Sequence, residues 1–60
     1  MDKKQLKDLG DKLRQPIHIN YISMYILKRS VDETKKQLDI LISEGFIKES
    51  NLADGYYVVV

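Results

Sequence analysis

The sequence predicts a small α+β domain whose elements run helix, short strand, helix, helix and then two strands joined as a hairpin. Three observations carry this reading. Apolar residues recur at helical spacing up to Gly45. After Gly45 the pattern changes to that of strands. The pair Asp54-Gly55 then separates two runs of strand formers, Phe46-Ile47-Lys48-Glu49 and Tyr56-Tyr57-Val58-Val59-Val60, which reads as a hairpin closed by a tight turn.

The first helix places Leu6, Leu9 and Leu13 on one stripe, with Lys3, Lys4, Lys7, Asp8, Asp11 and Lys12 on the remaining surface. Asp2 followed by Gln5 has the spacing of a capping box, and Met1 is placed to staple onto Leu6, so the helix starts near residue 2. Pro16 sets its far limit, because the residue before a proline avoids helical geometry. Gly10, inside the helix, costs about 1 kcal/mol relative to alanine.

Ile17-His18-Ile19 alternates as a very short strand. Asn20 is the expected N-cap of a second helix over Tyr21 to Lys28, with Ile19 stapled onto Met24. Ile22, Met24, Tyr25, Ile26 and Leu27 cannot all enter one thin core, so one or two of them are expected on the surface. The third helix has the clearest limits. Ser30 and Glu33 form a capping box, Thr34, Leu38, Leu41 and Ile42 share a stripe, and Gly45 sits where a left-handed terminating residue belongs, giving a helix from about Val31 to Glu44.

Sixty residues allow one thin core, burying roughly 60% of the unfolded chain's surface. A composition of 43% hydrophobic and 32% charged residues suits an ordinary folded domain. With no cysteine there is neither a disulfide framework nor a thiolate zinc site, and His18 is the only histidine. It has no ligand-like neighbours and is read as structural. Asp32 and Glu33 are paired acids, but no base, nucleophile or pocket accompanies them, so no catalytic residue, metal or cofactor is expected. No apolar run is long enough to span a bilayer and no leader precedes the first helix, which points to the cytoplasm and to no membrane or small-molecule partner.

The segments Ile17-His18-Ile19, Asn20 to Arg29, Ser30 to Gly45 and Phe46 to Val60 together resemble the winged helix-turn-helix family of bacterial and archaeal DNA-binding domains, over nearly the whole chain. The most specific piece runs from Leu38 to Lys48, which looks like the end of a recognition helix passing into the first wing strand. The resemblance implies one domain over residues 1–60, with helix 31–44 in the major groove of double-stranded DNA and wing 46–60 on the backbone or minor groove. Carried over residue by residue, Ser30, Thr34, Lys35, Lys36 and Gln37 match the groove-facing half of that helix. Lys28 and Arg29 match the turn before it, and Lys48 and Asn51 match wing positions.

The residue types suit the role: Lys and Arg neutralise phosphate, helix N-terminal amides bind phosphate oxygens, and Gln or Lys reads purine edges. The chain departs from the family where many members carry a glycine in the turn, since Lys28-Arg29 stands there, and Asp32 and Glu33 put acid at the reading end of the helix. The function expected is therefore a non-enzymatic double-stranded DNA-binding domain, a small transcriptional regulator or mobile-element accessory factor. The alternative is a winged-helix protein-interaction module of a larger replication, transcription or secretion assembly, which the net charge of +1 favours. A homodimer, made through the last strand or the surplus apolar residues of the second helix, would match the reading of two half-sites. The tyrosines are read as packing residues, with Tyr56 the most exposed, and the lysines of the first helix as a solvated face.

Overall fold

The first helix, α1 (Lys3–Lys12), begins where the Gln5 amide donates to Asp2 Oδ1 at 2.7 Å, as the Asp-x-x-Gln spacing predicts. These elements come from a computed structural model that describes residues 2–60, so the expected Met1 staple lies outside the described residues. Leu9 and Leu13 are buried, but Leu6 is half-exposed and lines the rim of an apolar hollow with Phe46 and Val59. The stripe read from the sequence is therefore only two-thirds covered.

Strand β1 (Ile17–His18) is one residue shorter than expected, and the next helix, α2 (Ile19–Tyr21), follows it without a break. His18 is its N-cap, not Asn20: His18 Nδ1 accepts the Asn20 amide at 3.1 Å. The cause is tertiary. The Ile19 amide donates to the Gly55 carbonyl at 2.8 Å, which holds the chain against the hairpin up to Ile19 and forces the helix to start there. With Ile19 inside the helix and Met24 63% exposed, the Ile19–Met24 staple does not form. His18 also packs edge-on against Tyr56, ring centroids 5.0 Å apart. A Cβ on Gly55, at φ +84°, would lie 2.9 Å from His18 Nε2.

α2 continues directly into a π-helical stretch, Ile22–Ile26, and the two are called helix two below. The Leu27 amide reaches back to the Ile22 carbonyl at 2.9 Å, five residues away. This wider turn brings Ile22 and Leu27 into line, so that Ile22, Ser23, Ile26 and Leu27 all face inward while Tyr21, Met24 and Tyr25 form the outer face. Lys28 ends helix two in the left-handed region, at φ 54°, where the family resemblance leads one to look for glycine.

The third helix, α3 (Val31–Ser43), is capped by Ser30, whose Oγ accepts the Glu33 amide at 3.2 Å. It closes as a full Schellman motif: the Gly45 amide donates to Ile42 O and the Phe46 amide to Leu41 O, both at 3.0 Å, around Gly45 at φ 83°. Thr34, Leu38 and Leu41 are buried, Ile42 packs against the core, and Ile40 stands out in solvent.

Strands β2 (Ile47–Glu49) and β3 (Tyr56–Val59) pair antiparallel, with Ile47 opposite Val59, Lys48 opposite Val58 and Glu49 opposite Tyr57. β1 joins the other side of β3, Ile17 opposite Tyr57, so three helices sit with a three-stranded antiparallel sheet of order β1-β3-β2. The expected α+β class and element order hold. The Asp54-Gly55 pair is the end of a six-residue connection, 50–55, and not the whole hairpin loop: the Ser50 amide donates to Tyr56 O at 2.8 Å across its base. Because β3 is central, with the Val59 amide bonded to Leu13 O and the Val60 amide to Phe46 O, it presents no free edge. Pairing of the last strand with a second copy, one of the two expected dimer routes, is closed.

Candidate functional site

The exposed start of α3 and the turn before it hold most of the residues that the sequence singles out. Lys28, Arg29 and Ser30 lie at the surface in succession, followed by Lys35 and Lys36 on the first turns of the helix, and Gln37 is half-buried. Thr34 is different. It is fully buried, and its Oγ1 has no hydrogen-bond partner among the described residues. It belongs to the Leu38–Leu41 core stripe, so its assignment as a DNA contact is withdrawn.

Several of the basic groups are already engaged. Arg29 lies 3.6 Å from the Glu33 carboxylate, and Lys35 donates to Asp39 Oδ1 at 3.0 Å. Both are exposed pairs four residues apart, Lys35–Asp39 within α3 and Arg29–Glu33 across its start, and are worth little to stability. The Asp39 carboxylate and then the Tyr57 hydroxyl hold the Lys35 pKa above its ordinary value, and the Lys35 Nζ sits 5.9 Å from the Tyr57 ring centroid. Lys35 is thus drawn toward the sheet. Over α3, two lysines face three acids, giving a side-chain charge of −1.

The hairpin residues stand apart from this cluster. Ile47 is buried and Lys48 exposed, and adjacent strand residues face opposite ways, so Lys48 occupies the outer face of the sheet while Tyr57 and Lys35 meet at the inner one. Asn51 is exposed in the hairpin loop. Lys28, Arg29 and Ser30 are therefore consecutive and exposed, whereas Lys28 also borders the α1 side, Lys35 turns to Asp39 and Tyr57, and Lys48 lies on the outer face of the sheet.

A second charged surface escaped the sequence reading. α1 and helix two leave between them a groove of ≈ 530 Å³ bordered by Lys4, Lys7, Lys28 and Tyr25, and a smaller hollow beyond it bordered by Lys12, Arg14 and Tyr21, with Asp11 common to both. Among the described residues no three metal-binding side chains converge, and no helix is long and apolar enough to cross a membrane. No protein-family model, curated protein or solved structure matches the chain.

Proposed function

We propose that the chain is a winged helix-turn-helix domain that binds double-stranded DNA without catalysis, α3 entering the major groove and the β2–β3 hairpin serving as the wing. The role is that of a small cytoplasmic transcriptional regulator or mobile-element accessory factor. One observation carries the reading. Lys28, Arg29 and Ser30 are exposed in succession immediately before α3 and Lys36 is exposed within its first half, while Thr34, Leu38 and Leu41 anchor the other face of the helix in the core. Phosphate neutralisation and base-edge contacts both need that arrangement.

A second reading, a protein-interaction module of a larger assembly, is favoured by the charge of −1 on α3 and by the pairing of Arg29 and Lys35 with neighbouring acids. The two separate in one titration. Fluorescence anisotropy of a labelled mixed-sequence duplex, at low and moderate salt, is expected to show binding that weakens steeply with salt and is lost in the Lys35→Glu, Lys36→Glu double variant. Absence of duplex binding at low salt removes the DNA reading and leaves the protein-interaction one.

A further inference from the structure

We propose that the seam between α1 and helix two binds single-stranded nucleic acid, an unpaired base stacking on the Tyr21–Tyr25 pair while the flanking lysines neutralise its phosphates. Charge distribution is the first argument. Of the residues bordering the two hollows of this seam, five are basic (Lys4, Lys7, Lys12, Arg14 and Lys28) and two acidic (Asp8 and Asp11), a side-chain charge of +3. The whole chain carries only +1, so everything outside the seam sums to −2. The excess of positive side chains therefore borders this seam and not α3. Asp11 is itself partly balanced by Arg14, 4.0 Å away.

The second argument is aromatic. Tyr21 and Tyr25 are 44% and 61% exposed, their ring centroids are 4.9 Å apart, and Met24 beside them is 63% exposed. The π-helical stretch fills the inner face of helix two with Ile22, Ser23, Ile26 and Leu27, so these rings are not surplus core residues waiting for space. Flat π-faces set among cations, along a groove that follows the two helices, are what a strand with unpaired bases requires. Duplex DNA offers cations its phosphates but hides the faces of its bases, and a glutamate-rich peptide offers carboxylates but no flat face to stack on the rings.

The seam shares only Lys28 with the proposed duplex-binding surface, so the two are separable. The intact protein is titrated against a labelled single strand of about ten mixed nucleotides, within the site sizes of single-strand binders, and against a glutamate polymer of similar length. Tyr25→Ala is expected to weaken single-strand binding about tenfold at fixed salt, with a smaller quenching of tyrosine fluorescence at saturation. Lys4→Glu with Lys7→Glu is expected to flatten the dependence of affinity on salt by about 1.4 log units per log unit, about 0.7 for each phosphate no longer neutralised. Lys35→Glu with Lys36→Glu is expected to leave single-strand affinity within about twofold, even if duplex binding is lost. Tyr25→Leu keeps the apolar bulk without the flat ring and serves should Tyr25→Ala melt early. Failure to bind the single strand, equal or tighter binding of the glutamate polymer, or a Tyr25 variant that folds and binds as well as the parent would each overturn the proposal.

Discussion

α3 buries Thr34, Leu38 and Leu41 from thirteen regular residues, whereas helix two buries Ile19, Ile22, Ser23 and Ile26 from eight residues that change hydrogen-bonding pattern midway. Both border the same core and both end in a left-handed residue. α3 has one apolar stripe, a serine cap and a terminal glycine, so its local preferences and its packing agree. Helix two is apolar on nearly every side and has to be divided between core and solvent by the rest of the fold. Where local signals are redundant, as in α3, the backbone is regular. Where apolar residues exceed the room in the core, the backbone takes up the mismatch.

The sharpest way to break this comparison is to remove one buried side chain from the regular helix and one exposed side chain from the irregular one. Leu38 is 0% exposed, and Leu38→Ala is expected to cost about 3 kcal/mol, the transfer loss plus the cavity. A domain of this size has roughly 3–5 kcal/mol of stability, so the variant should retain about 0–2 kcal/mol and show a strongly lowered melting temperature by circular dichroism. Met24→Ala, at an exposed position in helix two, should change stability by less than about 0.5 kcal/mol. Comparable losses at both positions would mean that Met24 is packed against something, and the division of helix two into inner and outer faces would fail.

The capping of α3 was legible because it depends on residues three or four apart: Ser30 with Glu33, Gly45 after the last apolar turn. The start of helix two was not legible, because the Gly55 carbonyl that holds Ile19 is remote in sequence and outweighs the better intrinsic capping preference of Asn20. The same division runs through the candidate site. The exposure of Lys28, Arg29, Lys35 and Lys36 followed from the stripe, and the burial of Thr34 was implied by its own place on that stripe. The pairs Arg29–Glu33 and Lys35–Asp39 also lie at a readable spacing. The basic seam has no sequence signature. It exists only because α1 lies beside helix two and adds Lys4 and Lys7 to Lys28.

Within α3, Thr34 carries a buried hydroxyl that has no hydrogen-bond partner among the described residues. An unpaired polar group costs about 1–3 kcal/mol on burial, and valine has nearly the same shape. Thr34→Val is therefore expected to raise the midpoint of urea unfolding, by about 1 kcal/mol in stability, and to leave any duplex binding unchanged. A loss of stability would show that the hydroxyl is bonded, for instance to a buried water. A loss of DNA affinity in the folded variant would return Thr34 to the interface.

The smallest effect distinguishes the two helix ends. α3 closes on Gly45 through amide bonds spanning five and three residues, and helix two closes on Lys28 through an Arg29 amide that reaches Ser23 O at 3.0 Å, six residues back. The closure is one residue wider than the Schellman form, as a preceding π-turn requires. A lysine at φ 54° carries a left-handed penalty of about 1–2 kcal/mol that glycine does not. Glycine in turn loses more chain entropy on folding, so Lys28→Gly is expected to gain only about 0.5 kcal/mol, read as a slightly higher melting temperature. Lys28→Ala controls for the lost side chain, since alanine keeps the penalty and should gain nothing. If both variants melt below the parent, the lysine side chain stabilises the turn by its contacts with the α1 groove, and the strain at Lys28 is a cost retained for the sake of that surface.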